Sequence, residues 1–328
     1  MSNLEKIPVT ILTGFLGAGK TTLIRNLIIK NKSKRLAVII NEFGDLGVDG
    51  EIVKQCSDET CPEENILELA NGCICCTVAD DFVPTMQKLI NGKYLPEHIL
   101  IETSGLALPK PLLKAFEWPE IRSKLTVDSV LAVVDAEAVV NGVFAPQMSR
   151  ETEKRQTETY VEHETPLSEV FEDQINCSEI VLLTKPDLVK NPSIARDIIT
   201  KEMERKVPIL EVQSGDIDAD LILGISAAAE TDLENRKSHH DGFDDHEHDD
   251  FETFNVSIPT VSDLENFKIT MKHLINENEV LRIKGFLRVK DKPLNLIVQA
   301  VGKRLSVSFT DNKMKTQNIG NLVFIGEK

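Results

Sequence analysis

Gly14-Phe-Leu-Gly17-Ala18-Gly19-Lys20-Thr21-Thr22 is the stretch of this chain with the plainest chemistry. Glycines at 14, 17 and 19 put no side chains in the way, so backbone N–H groups close around phosphate oxygens. The spacing is G-x-x-x-x-G-K-[ST]: the lysine reaches the β- and γ-phosphates and the Thr21 hydroxyl ligates Mg²⁺. Ala18 and Thr22 complete the cradle where a helix begins, and the helix start adds its positive dipole end. Such a loop needs a strand before it and a helix after it. Ile7–Thr13 reads as the strand, and Lys20–Lys30 has a helical apolar spacing.

The base is read further along. Leu182-Leu-Thr184-Lys185-Pro-Asp187 closes another strand and resembles the [NT]-K-x-D element of guanine-binding proteins, with Thr184 where Asn is usual. A carboxylate at Asp187 accepts from both N1–H and N2–H₂ of guanine. Adenine offers no matching donor pair and would leave the charge unsatisfied. Thr184, Lys185 and Asp187 are therefore expected to select GTP. Glu102-Thr-Ser-Gly105 follows a further strand, where a phosphate-loop enzyme aims a carboxylate toward Mg²⁺. Lys20, Thr21 and Glu102 form the expected catalytic set. Asn41-Glu42-Phe-Gly-Asp45 and Val48-Asp49-Gly50 fill the loop after the second strand, with glycines at 44, 47 and 50, as a nucleotide-sensing switch would.

Three cysteines fall within four residues, in Asn71-Gly72-Cys73-Ile74-Cys75-Cys76. Thiols at this spacing converge on one ion, and coordination lowers their pKa so that they bind as thiolates. Three soft ligands suit Zn²⁺, Co²⁺ or Cu(I), with a fourth position left for water, a carboxylate or a partner's ligand. A redox pair or a packed trio are the alternatives. Loops at the same strand ends of a parallel sheet gather on one face, which would let Glu42 complete the thiolate site when nucleotide orders its loop. Cys56, Cys61 and Cys177 read as structural. Ser238–Asp250 holds four histidines and six carboxylates with no Lys or Arg, a composition suited to loose metal capture or to a plain acidic linker. His98, His163 and His273 sit in ordinary settings.

The elements that must position these groups alternate strand and helix over the first part of the 328-residue chain, as in a parallel α/β sheet covered by helices. Strands are expected at Leu36–Asn41, Asn65–Leu69, His98–Glu102, Ser129–Asp135, Glu179–Thr184 and Pro208–Val212. Helices are expected at Asp80–Ile90, Pro109–Phe116, Pro166–Asn176 and Asn191–Lys206. Asn141–Thr165 lacks apolar periodicity and reads as an insertion. The expected domains are residues 1–225, an acidic His-rich linker at 226–250, and a small α+β domain at 251–328. In the last, Ser262-x-x-Glu265 looks like a capping box opening a helix.

A hydrophobic content of 41% describes an ordinary globular chain, and no apolar stretch approaches the ~20 residues of a bilayer span. The N-terminal residues lack the pattern of a secretory signal, so a cytoplasmic protein with no membrane partner is expected. A net charge of −16 excludes nucleic acid as a general partner.

Taken together, Gly14–Thr22, Asn41–Asp49, Asn71–Cys76, Glu102–Ala107 and Thr184–Asp187 resemble the CobW group of metal-handling GTPases, and Phe251–Ile325 looks like that family's C-terminal domain. The resemblance implies a GTP-hydrolysing metallochaperone using GTP, Mg²⁺ and Co²⁺ or Zn²⁺. Cys76–Met86 and Leu106–Leu113 look like the branch named for cobalamin biosynthesis. That likeness implies Co²⁺ as cargo and a cobaltochelatase as the metal-receiving client; a zinc-allocating sister branch and a passive metal buffer are the rivals.

Overall fold

The apolar runs that read as buried strands lie side by side in one parallel sheet. The structure is a computed structural model, and it describes residues 6–31, 33–41, 48–69, 82–142, 166–238, 251–278, 280–301, 303–310 and 319–327. In the first of two units the strands are β1 (Ile7–Thr13), β2 (Leu36–Asn41), β3 (Ile66–Leu69), β4 (His98–Glu102), β5 (Leu125–Asp135), β6 (Ile180–Thr184) and β7 (Ile209–Val212). Their order among the described residues is β3-β2-β4-β1-β5-β6-β7, every pair parallel. The helices are α1 (Lys20–Lys30), α2 (Val48–Lys54), α3 (Val83–Ile90), α4 (Pro109–Ala115), α5 (Ala136–Val140), α6 (Pro166–Asn176) and α7 (Pro192–Glu202).

Both sheet faces are apolar because both are covered, as parallel sheets require. Val9, Ile11, Ile39 and Ile101 pack with α3 and α4 residues such as Met86 and Leu113. Leu12, Ile40, Leu100 and Val133 pack on the other face with Leu23, Ile24 and Leu27 of α1 and Val53 of α2. β1 is central, with β4 on one side and β5 on the other, so the loops after β1, β4, β5 and β6 meet at the carboxyl ends of the strands.

The short helix α5 was not expected from the sequence, α7 ends at Glu202 short of Lys206, and further departures have a physical cause. α2 occupies part of the stretch read as a loop; Gly50 masks it, because glycine is a poor helix former. β5 begins at Leu125 rather than Ser129, since the polar Thr126 and Asp128 that interrupt the apolar pattern are satisfied inside the fold. Residues 226–238, expected as the start of a linker, are docked on this unit. The Asp128 carboxylate accepts from Gly224 N at 2.8 Å and Ser226 N at 2.7 Å. Buried Glu230 accepts from the Thr126 hydroxyl at 2.7 Å and Val127 N at 2.9 Å. Arg236, 1% exposed, donates to Cys177 O and to Glu179 at 2.5 Å. The stretch looked like linker because much of its anchoring is polar, with only Ala229 and Leu233 packing into the apolar core.

The second unit is an antiparallel sheet in the order β11-β10-β9-β12-β8, built from β8 (Phe251–Pro259), β9 (Val280–Arg288), β10 (Asn295–Val301), β11 (Arg304–Thr310) and β12 (Ile319–Glu327). Helix α8 (Leu264–Glu277) packs Met271 and Ile275 against Ile283, Leu287, Val298 and Leu322. Its cap is Asp263, whose carboxylate accepts from Asn266 N at 3.0 Å; Ser262 is not the capping residue. Among the described residues no helix is long and apolar enough to cross a membrane.

Candidate nucleotide site

The loop after β1 folds tightly because Gly14 takes φ +130°, and a Cβ there would stand 2.1 Å from Val133 O of β5. No other residue fits that approach. Lys20, 6% exposed, turns back over the loop and donates to Gly14 O at 2.5 Å and Phe15 O at 3.2 Å. These carbonyls hold the ammonium against the loop. Gly19, at φ +108°, leads directly into α1.

Thr21 lies between two carboxylates. Its hydroxyl is 2.9 Å from Glu102 Oε1 and 3.1 Å from Asp49 Oδ1. One hydroxyl proton serves only one acceptor at a time, so two carboxylates around one hydroxyl form an electron-rich oxygen set. A hydroxyl and two carboxylates are hard donors of the kind Mg²⁺ takes alongside nucleotide phosphates. Thr21, Asp49 and Glu102 fit that ion. Gln174 of α6 donates to Gly105 O at 3.2 Å and Ala107 O at 3.1 Å, fixing the turn that follows Glu102.

The Thr184–Asp187 segment is tied to the loop after β1. The Thr184 hydroxyl is 2.6 Å from Ala18 O and 3.1 Å from Val134 O. Lys185 adopts φ +55°, a left-handed conformation that costs a non-glycine residue roughly 1–3 kcal/mol. Its ammonium donates to Gly17 O at 2.7 Å and to Asp135 Oδ2 at 2.7 Å. Asp135 also caps α5 through Glu137 N at 3.0 Å and Ala138 N at 3.3 Å. Asp187, in a single 3-10 turn, is exposed and available to a base.

The structure thus brings Gly14, Gly17, Ala18, Gly19, Lys20, Thr21, Glu102, Thr184 and Lys185 to one end of the sheet. Thr22 follows Thr21 on α1 and bears on no contact named above. Asp135, Gln174 and the contact of Asp49 with Thr21 did not emerge from the sequence. An acid ending the long apolar run Val133-Val134-Asp135 was the available signal, since a buried carboxylate needs a partner.

Cys73, Cys75, Cys76 and Glu42 lie outside the described residues, as do most of the insertion and the His-rich tract. Among the described residues no three His, Cys, Asp or Glu side chains gather as a metal set. Cys61 and Cys177 are buried, and burial pushes both thiols up to about 12, which keeps them protonated and apolar in character. Cys56 packs at the edge of the same core as Cys61.

Fold and site together define a P-loop GTPase. The loop after β1, the acid that ends β4 and the Thr-Lys-x-Asp segment after β6 are joined by direct side-chain contacts. The chain belongs to the CobW/HypB/UreG family: residues 8–211 match its nucleotide-binding domain, and residues 251–328 match the cobalamin synthesis protein cobW C-terminal domain. It is similar to the zinc chaperone CobW of Sinorhizobium sp, 47% identical over 310 residues that cover 93% of this chain and 88% of that protein. It is also similar to the zinc chaperone CobW of Pseudomonas aeruginosa, 44% identical over 341 aligned positions covering 100% and 89%. The zinc chaperone YjiA of Escherichia coli is 27% identical over 333 positions, covering 98% of this chain and 95% of its own length.

Proposed function

We propose that this protein is a GTP-hydrolysing metallochaperone: it binds a transition metal through Cys73, Cys75 and Cys76, with Glu42, and releases it to a client according to nucleotide state. The observation that supports the GTPase half is Thr21 set between Asp49 and Glu102, directly after a loop on whose carbonyls Lys20 and Lys185 lie. Lys20 and the loop amides hold the β- and γ-phosphates, Thr21 and the two carboxylates hold Mg²⁺, and Asp187 selects guanine. Bound Mg²⁺ supplies charge neutralisation on the phosphate oxygens. Turnover by the chain alone is slow, as in GTPases that await a partner's catalytic group.

The metal half rests on the thiolate motif and on relatives named as zinc chaperones. Zinc is accordingly the first cargo. Cobalt, delivered to a cobaltochelatase for cobalamin synthesis, is a second reading, favoured by the match of residues 251–328 to the domain named for cobalamin synthesis. The client is a metal-receiving protein, and the setting is the cytoplasm. GTP hydrolysis by the purified protein, followed with Zn²⁺, with Co²⁺ and without either, tests both halves. The expected result is slow hydrolysis of GTP, not ATP, stimulated more by Zn²⁺. Stimulation by Co²⁺ alone favours the cobalt reading, and absence of hydrolysis under all conditions overturns the function.

A further inference from the structure

Helix α2 touches the nucleotide site at one end and strand β3 at the other. In its first turn Asp49, 5% exposed, lies against the Thr21 hydroxyl at 3.1 Å. Val53, fully buried, seats the helix in the core. At its last residue the Lys54 ammonium is 2.9 Å from Glu68 Oε1 of β3 and 3.6 Å from Glu51 Oε1. Burial by itself would lower the Lys54 pKa, but the bonds and charges of Glu68 and Glu51 together outweigh it and the pKa is raised.

Gly50 completes the contact. The Glu68 side chain lies across it so closely that a Cβ on residue 50 would stand 1.7 Å from Oε1 and 2.4 Å from Cγ. The absence of a side chain at 50 therefore makes a notch for Glu68. The sheet register puts Glu68 on the same face of the sheet as the nucleotide site. Ile40 is paired with Glu68 on one side and with Glu102 on the other, so the two glutamates stand in one row and on one face. Thr21 is thus held between Glu102, fixed by β4, and Asp49, carried on a helix whose lateral position depends on Glu68.

We propose that Glu68 is a positioning residue: lodged in the Gly50 notch and paired with Lys54, it fixes α2 so that Asp49 stands at Thr21, and so governs how tightly Mg²⁺ is held with GTP. Glu68 itself is two strands from Glu102 and touches neither Thr21 nor the phosphates. The proposal rests on the guanine-nucleotide reading above. Outer-shell partners of this kind change metal affinity by roughly 10- to 100-fold when removed.

The test is equilibrium binding of a fluorescent, non-hydrolysable GTP analogue to the full chain as Mg²⁺ is titrated, beside GDP binding in EDTA. In the native protein Mg²⁺ tightens the analogue; if it does not, the nucleotide reading fails and this proposal with it. Given that native response, Glu68→Gln should raise the half-saturating Mg²⁺ concentration about 10-fold. Gly50→Ala, which displaces the flexible end of Glu68, should do the same, and Lys54→Arg should behave as native. GDP affinity in EDTA should change less than about twofold in all three. A native Mg²⁺ response in both Glu68→Gln and Gly50→Ala overturns the positioning role alone. Equal losses of Mg²⁺-dependent and Mg²⁺-free binding overturn it too, because they mark a general defect of the fold.

Discussion

The two ends of the parallel sheet both bury polar groups, and they do so in opposite ways. At the amino-terminal end the groups answer one another. His98 lies 2.8 Å from Thr10, Thr10 donates to Asp128, and Asp128 and Glu230 take up backbone N–H groups of the 224–238 strap and of β5. Glu179 takes Arg236 and Arg205. At the carboxyl end, Lys20 bonds carbonyls of the phosphate loop itself, Lys185 bonds both Gly17 O and the Asp135 carboxylate, and two carboxylates crowd one hydroxyl. Charges satisfied by distant side chains hold a fold together. Two carboxylates set around one hydroxyl, beside ammonium groups laid on loop carbonyls, are an arrangement into which Mg²⁺ and phosphate oxygens would fit.

That contrast predicts changes in function at one end and in stability at the other. The largest effect is expected from Lys20→Ala, which removes a charge-assisted phosphate contact and should lower kcat for GTP by roughly 100- to 1,000-fold while urea unfolding stays near native. Native turnover in that variant would break the assignment. Arg236→Met should do the reverse. Removing one partner of a buried ion pair costs about 3 kcal/mol, read as a lower urea midpoint, with GTP affinity kept within about twofold.

Acid should separate the ends as well. Burial, the dominant influence on His98, lowers its pKa from the usual 6.5 to about 4 despite the opposing charge of Asp128. The unfolded chain therefore binds a proton at higher pH than the folded one. The stability from neutral His98 is full above pH 6.5 and is lost as pH falls toward 4, by up to about 3 kcal/mol. His98→Gln should flatten that part of the pH–stability curve; an unchanged slope would remove His98 as its cause. A smaller and more selective change is expected from Asp187→Asn, which should weaken GTP about 10- to 100-fold and admit xanthine nucleotides. Competition in which ATP displaces GTP equally from the native protein would contradict guanine selection.

Much of the nucleotide end was legible in the sequence because its chemistry is contiguous: Gly14–Thr22 and Thr184–Asp187 each keep their motif on one strand–loop segment. Partners distant in sequence were not legible. Asp135 meets Lys185 only because β5 and β6 are neighbours, and Asp49 meets Thr21 only because α2 exists behind a glycine that argues against a helix. The strap was misjudged for the same reason in reverse. Composition reports apolar burial, whereas Glu230 is buried on a hydroxyl and a backbone N–H and Arg236 on the Glu179 carboxylate. Asp263 in place of Ser262 is a one-residue shift of a cap, the usual precision of helix ends.

The central claim is that nucleotide state sets metal affinity, and it is tested most directly by titrating Zn²⁺ into the protein loaded with a non-hydrolysable GTP analogue and, separately, with GDP. The account predicts affinities that differ by about 5- to 150-fold, with Zn²⁺ changing the affinity for the GTP analogue relative to GDP by the same factor, as linkage requires. Equal Zn²⁺ affinity in the two nucleotide states would contradict it and leave a GTPase that binds metal without a delivery switch.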